Sequence, residues 1–171
     1  MPSNPERTAA ATVIVPAPPE AVWALVSDPD RFAEWLELTE EVTRADKPLR
    51  LGSTYEERNV VLGPLKGSSR WTVVQHEAPR RQTHRGEGIA LAASLDFFIE
   101  LEPAERATQL AVGLRYRPAL GALGALIDRI HMHRSLQAAM ERSVANLAAI
   151  AERELRADAI DRADPAKIKS D

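Results

Sequence analysis

The stretch Val13–Trp35, VIVPAPPEAVWALVSDPDRFAEW, contains in order a strand, a proline-punctuated stop, an amphipathic helix and a second short helix. Val13, Ile14 and Val15 are β-branched and favour an extended pleat, whereas Pro16, Pro18 and Pro19 cannot donate to a ladder and end the strand. Proline loses little in a first helical turn, where the amides have no intrahelical partner, and Glu20 suits the positive end of the helix dipole. Ala21, Val22, Leu25 and Val26 then recur on one face, with Trp23 at its margin, which reads as packing surface. Asp28 before Pro29 predicts the next cap, and Arg31–Trp35 a short helix that carries Phe32, Trp35 and Leu36 inward.

Downstream, the period changes from helical to alternating. Strands are expected at Thr39–Arg44, Thr54–Val61, Arg70–Glu77, Gln82–Glu87, Ser94–Glu102 and Thr108–Arg117, bounded by turn residues such as Gly52, Gly63-Pro64, Pro79, Gly88 and Pro103. The clearest alternations are Leu95, Phe97, Ile99, Leu101 and Leu110, Val112, Leu114, Tyr116. These eight side chains are expected on one face of neighbouring antiparallel strands. Asp96 and Arg115 then point outward, and Phe98 on that outer face hints at a weak homodimer contact.

From Gly121 to Arg156 the chain is rich in Ala, Leu, Arg, Met and Glu and has no proline, which predicts one long helix with a possible bend near Gly124 or between His131 and Ser135. Steps of 100° place Leu123, Leu126, Ile127, Ile130, Met140, Val144, Leu147, Ala148, Ala151 and Leu155 on one broad apolar face. His133 and Gln137 fall inside that stripe, and His131 opposite it.

Composition sets bounds. With 171 residues, 44% of them hydrophobic, the chain can bury one core; a single domain is expected over 9–156, between a flexible N-terminus at 1–8 and a polar, disordered tail at 157–171. A net charge of −3 with interspersed signs argues against a nucleic-acid partner, and no apolar run reaches membrane-span length. There is no cysteine to form a disulfide, a thiolate nucleophile or a thiolate metal site, and MPSNPERTAAAT has no signal-peptide core. A cytoplasmic protein without membrane insertion is the expectation. No histidine pair has metal spacing on a helix, and no P-loop, dinucleotide fingerprint or GxSxG elbow occurs.

The economical assembly is an α+β fold in which a curved antiparallel seven-stranded sheet grips the long C-terminal helix, with the two short helices after the first strand. One helix cannot fill a strongly curved sheet, so a cavity is expected between them. VIVPAPPEAVWALVSDPDRFAEWL, the glycine of LRLGSTYEE, the WTVVQHEAPRRQTHRGEG unit and the strand LDFFIELEP resemble the helix-grip (Bet v 1-like, START-like or SRPBCC) superfamily, over about residues 9 to 155. RWTVV through GALIDRI is similar to a bacterial branch of polyketide cyclase/dehydrase and lipid-transport proteins, some of whose members are labelled toxins. The resemblance implies binding, transport or sequestration of a small hydrophobic molecule, without a cofactor. Its alternatives are a cofactor-independent polyketide cyclase/dehydratase and a toxin-like component with a small antitoxin-like partner. The Arg and Trp wall of aromatic polyketide cyclases is not reproduced around RWTVVQHE, where Arg70 falls opposite the single tryptophan.

The candidate ligand-binding residues are Trp35, Tyr55, Asn59, Trp71, Phe97, Ile99, Val112, Leu114, Tyr116, Ile127, Ile130, His133, Gln137 and Met140. No metal ligands are expected. His133, Glu57 and His84 are the candidates for proton transfer. His133 and Gln137, one turn apart, either face a ligand or bond the helix to the sheet. Tyr55, Glu57 and Asn59 alternate on one strand, and the resemblance implies that this side faces the cavity; a desolvated Glu57 then becomes an acid or base, whereas on a reversed strand or near a rim it pairs with an arginine. Trp71 either stacks on a ligand or packs in the core, and Trp35 and Phe32 stand at the cavity mouth or beneath the sheet edge. His84, between Arg81 and Arg85, is either a pocket residue or solvated.

Overall fold

A computed structural model describes residues 5–62, 65–87, 92–119 and 131–163. Seven strands, β1 (Arg7–Val15), β2 (Thr39–Ala45), β3 (Thr54–Leu62), β4 (Leu65–Glu77), β5 (Arg81–Glu87), β6 (Ala92–Ala104) and β7 (Ala107–Pro118), form one antiparallel sheet in the order β1-β7-β6-β5-β4-β3-β2. Between β1 and β2 lie α1 (Pro19–Val26), a 3-10 turn at Pro29–Arg31 and α2 (Phe32–Trp35). The long α3 (His133–Ala163) packs against the sheet. This is the helix-grip architecture expected from the sequence.

Local chemistry sets these boundaries. Pro18 and Pro19 open α1 in extended and then helical geometry, and the Asp28 carboxylate accepts from the Asp30 amide at 3.0 Å to start the following turn. Gly52, at φ +84°, turns the chain between β2 and β3, a conformation that a Cβ would strain, and its N–H donates to the Val73 carbonyl at 2.8 Å.

The alternating residues meet in register. Leu95, Phe97, Ile99 and Leu101 of β6 stand opposite Tyr116, Leu114, Val112 and Leu110 of β7. Beneath them α1 contributes Val22, Leu25 and Val26, α2 contributes Phe32 and Trp35, and α3 contributes Ala139, Met140, Val144, Leu147 and Ile150. Each large apolar side chain that is fully buried contributes roughly 1.5–3 kcal/mol.

The structure departs from expectation in four places. Phe98 is buried, not presented to a partner: it lies opposite Gly113, where an added Cβ would come within 2.5 Å of its ring, and the Arg115 guanidinium covers it at 4.4 Å. β1 begins at Arg7, inside the stretch expected to be flexible, because its backbone pairs with β7 from Arg7↔Tyr116 onward. At the other end α3 continues to Ala163, into the expected tail, and runs unbroken through Ser135. Leu155, assigned to the apolar stripe, is 36% exposed. Gly63, Pro64, Gly88, Leu123, Leu126, Ile127, Ile130 and the last eight residues lie outside the described residues.

Gly113→Ala should destabilise the fold by about 1–3 kcal/mol through this overpacking, and the cost should shrink in a Phe98→Leu background. Chemical denaturation of the two single variants and the double variant checks this; additive costs would contradict the contact.

Candidate functional site

Between the concave face of the sheet, α2 and α3 lies a cavity of about 100 Å³. Its floor and walls are apolar: Leu36 and Leu38 follow α2, Ala92, Leu95 and Phe97 come from β6, Leu114 and Tyr116 from β7, Met132 immediately precedes α3, and Leu136 and Met140 come from its first turns. Polarity is confined to one side. There β2 supplies Thr39, β3 supplies Tyr55, Glu57 and Asn59, and β4 supplies Trp71.

The register of β3 on β4 builds that side. Tyr55 stands opposite Trp71, and Glu57 opposite Ser69. The first pair stacks with ring centroids 6.3 Å apart and planes 11° from parallel. The second brings a hydroxyl to a carboxylate.

Glu57 is 5% exposed and collects four neutral donors. Thr39 Oγ1 donates to Oε2 at 2.9 Å, while Trp71 Nε1 at 2.8 Å, Ser69 Oγ at 3.2 Å and Asn59 Nδ2 at 3.4 Å donate to Oε1. Burial pushes the Glu57 carboxyl above the ordinary carboxylate range, and those hydrogen bonds pull it only part of the way back. Among the described residues Glu57 has no arginine partner of the kind the alternative reading requires: Arg58 pairs with Glu41, and Arg70 with Glu56 at 2.6 Å.

His84 lies behind Tyr55, not in solvent. It is wholly buried, with Phe32, Tyr55 and Phe97 around its ring, and Nδ1 lies 3.0 Å from the Tyr55 hydroxyl. Nε2 has no partner. Nδ1 and the Tyr55 hydroxyl share one hydrogen bond, whose donor follows from the imidazole tautomer. Burial, with a smaller contribution from His76, holds the His84 pKa down at about 3. Tyr55 is pushed well above its ordinary value by its own burial and then by Glu57.

Of the residues singled out from the sequence, Tyr55, Glu57, Asn59, Trp71, Phe97, Leu114, Tyr116 and Met140 border this cavity. Ile99, Val112 and Trp35 are fully buried in the core and do not border it. Gln137 is taken up by β1: its Oε1 accepts from the Ala10 N–H at 3.1 Å and its Nε2 donates to the Ala10 carbonyl at 2.8 Å. His133 does not border the cavity; its Nδ1 lies 3.3 Å from the hydroxyl of Tyr116, which does. Thr39, Ser69 and Leu136 are not among the candidates the sequence offers, although stepping back two residues from Trp71 along its strand reaches Ser69. No group of three or more His, Cys, Asp or Glu side chains that could hold a metal occurs among the described residues, and none of the described helices is long and apolar enough to cross a membrane.

A curved sheet gripping one long helix over an apolar cavity with a buried carboxylate defines a helix-grip domain. The chain belongs to the polyketide cyclase/dehydrase and lipid transport family, whose model matches residues 6–152. It is 29% identical over 133 residues, 74% of this chain and 90% of the relative, to the Mycobacterium tuberculosis protein named Toxin Rv0910. Among solved structures it is similar to protein CV1439 from Chromobacterium violaceum, at 21% identity and a TM-score of 0.65, covering 85% of this chain and 96% of that one. The di-domain ARO/CYC StfQ of the steffimycin biosynthetic pathway is similar at 12% identity and a TM-score of 0.71, over 88% of this chain and 52% of that one. Membership of this family supports a general ligand-binding or biosynthetic-accessory role.

His84 and Glu57 change stability in opposite directions as the pH moves. His84 has a lowered folded pKa, so its contribution is complete above pH 6.5 and is lost as the pH falls towards 3. Acid titration of unfolding should show this slope, and His84→Leu should flatten it; an unchanged slope would place the acid sensitivity elsewhere. Glu57 has a raised folded pKa, so its stabilising contribution is complete below its ordinary value of 4.5 and is lost as the pH rises through the folded value. Glu57→Gln should therefore leave the free protein at least as stable at pH 7 as wild type, since Thr39 can turn its hydroxyl from donor to acceptor.

Proposed function

We propose that the domain binds a small, mainly apolar molecule inside its cavity and carries or sequesters it. The supporting observation is the distribution of polarity: an apolar wall from β6, β7 and α3 faces one cluster, Thr39, Glu57, Asn59 and Trp71, that can orient a bound molecule. Size narrows the occupant. Cavities on the order of 150 Å³ take up benzene, and pockets for larger ligands run to roughly 300–1,000 Å³. At about 100 Å³ the space lies below the first mark: it suits a short chain as it stands, a single small ring once the walls give slightly, and a polycyclic occupant only with larger movement.

Burial of Glu57 also supports a second reading, cofactor-independent cyclisation or dehydration, in which its carboxyl, whose pKa burial raises, is the general acid. Glu57→Gln then abolishes turnover while binding survives; equal loss of both removes this reading. The toxin-like reading, with a small antitoxin-like partner, rests on the relatives named as toxins. Growth arrest on induced expression supports it, and normal growth argues against it.

Native mass spectrometry of freshly purified protein should show a small molecule that is lost on denaturation and absent from Ala92→Trp, whose side chain would fill the cavity. A bare native mass, together with no thermal stabilisation by small apolar compounds, would contradict ligand binding.

A further inference from the structure

The Glu57 carboxylate is buried without a cation. Its partners are two hydroxyls, an indole N–H and an amide, and among the described residues no lysine, arginine or charged histidine pairs with it. Buried charges are normally paired, because desolvating a carboxylate costs several kcal/mol that neutral donors only partly recover. Here the place of the counter-ion faces the cavity.

Two further features of the same wall have the same polarity. Asn59 directs its Nδ2 to Ser69 Oγ at 2.7 Å and towards Glu57, the orientation a carboxylate requires of a neighbouring amide; its Oδ1 is buried and has no hydrogen-bond partner among the described residues. The aromatic rings of Tyr55, Trp71, Phe97 and Tyr116 border the same space, and electron-rich rings attract a cation once water is excluded. Within the cluster the donors are already spent on Glu57, whereas an amide oxygen and a carboxylate remain to accept. A ligand that itself accepts hydrogen bonds, or carries negative charge, would meet repulsion there.

We propose that the cavity selects a ligand bearing a protonated nitrogen on a small apolar or aromatic body, with Glu57 as counter-ion, Asn59 Oδ1 as second acceptor and the aromatic rings around the body. This rests on the ligand-binding reading above and names its chemical class.

Three probes of one shape separate the possibilities: benzylamine, protonated at pH 7, benzyl alcohol and benzoate, each titrated into the wild-type protein while the indole N–H resonance of Trp71 is followed. The amine should bind at least tenfold more tightly than the alcohol, and benzoate should not shift the resonance. In Glu57→Gln the amine should lose that advantage while the alcohol binds as before. If the alcohol or benzoate binds as tightly as the amine, the cationic class is overturned and the ligand-binding reading stands. If none of the three moves the resonance, both fall. The wild-type comparison decides the matter even if the variant fails to fold.

Discussion

The pairing of β6 with β7 is the constraint on which the rest of this domain depends. In a strand successive side chains alternate between faces, so a slip of one residue would turn Leu95, Phe97, Ile99 and Leu101 to the convex side and bring Asp96 and Glu100 into the core. Everything else attaches to that pair: β1 adds to the free side of β7, β5 adds to β6, and α3 lies across β1 and β7. The register is fixed from both sides. On the concave face the four apolar pairs interlock, and on the convex face Phe98 fits only opposite the missing side chain of Gly113.

Against this apolar half, the β2–β3–β4 half contains the polarity. A carboxylate held away from water, raised in pKa and ringed by neutral donors is not an arrangement that stability alone favours, since an apolar residue of similar volume would avoid the desolvation. Such local cost is common at functional sites, where the rest of the fold supplies the surplus. The His84–Tyr55 contact behind it is different. Both groups are shifted toward their neutral forms, so they add hydrogen-bonding order to the aromatic wall without adding charge.

Much of the fold was legible because two periods are unambiguous: the alternation in β6 and β7, and the proline and aspartate signals around α1. What escaped depends on neighbours far away in sequence. Phe98 looks exposed until Gly113 is placed across from it. His84 looks solvated between two arginines, although alternation sends Arg85 outward to Asp96 and His84 inward. Gln137 was legible as a polar group on an apolar stripe, but not which strand it would meet. The inward direction of Glu57 came from the family resemblance, because Tyr55, Glu57 and Asn59 alternate with Glu56 and Arg58, and both faces of that strand carry charge.

The contact between Gln137 and Ala10 has a consequence for how the molecule behaves in a crowded solution. β1 is an edge strand, whose outward amides could template pairing with another chain. The Gln137 side chain offers Ala10 both a donor and an acceptor, as a peptide group of an eighth strand would. At the opposite edge β2 is irregular, with register breaks between Thr39 and Glu41 and between Val42 and Arg44, and its Glu40 and Glu41 are engaged by Lys66 and Arg58. One border of the sheet is thus occupied by a side chain that imitates backbone, and the other is bent and charged, so neither presents a flat template for intermolecular β-sheet growth.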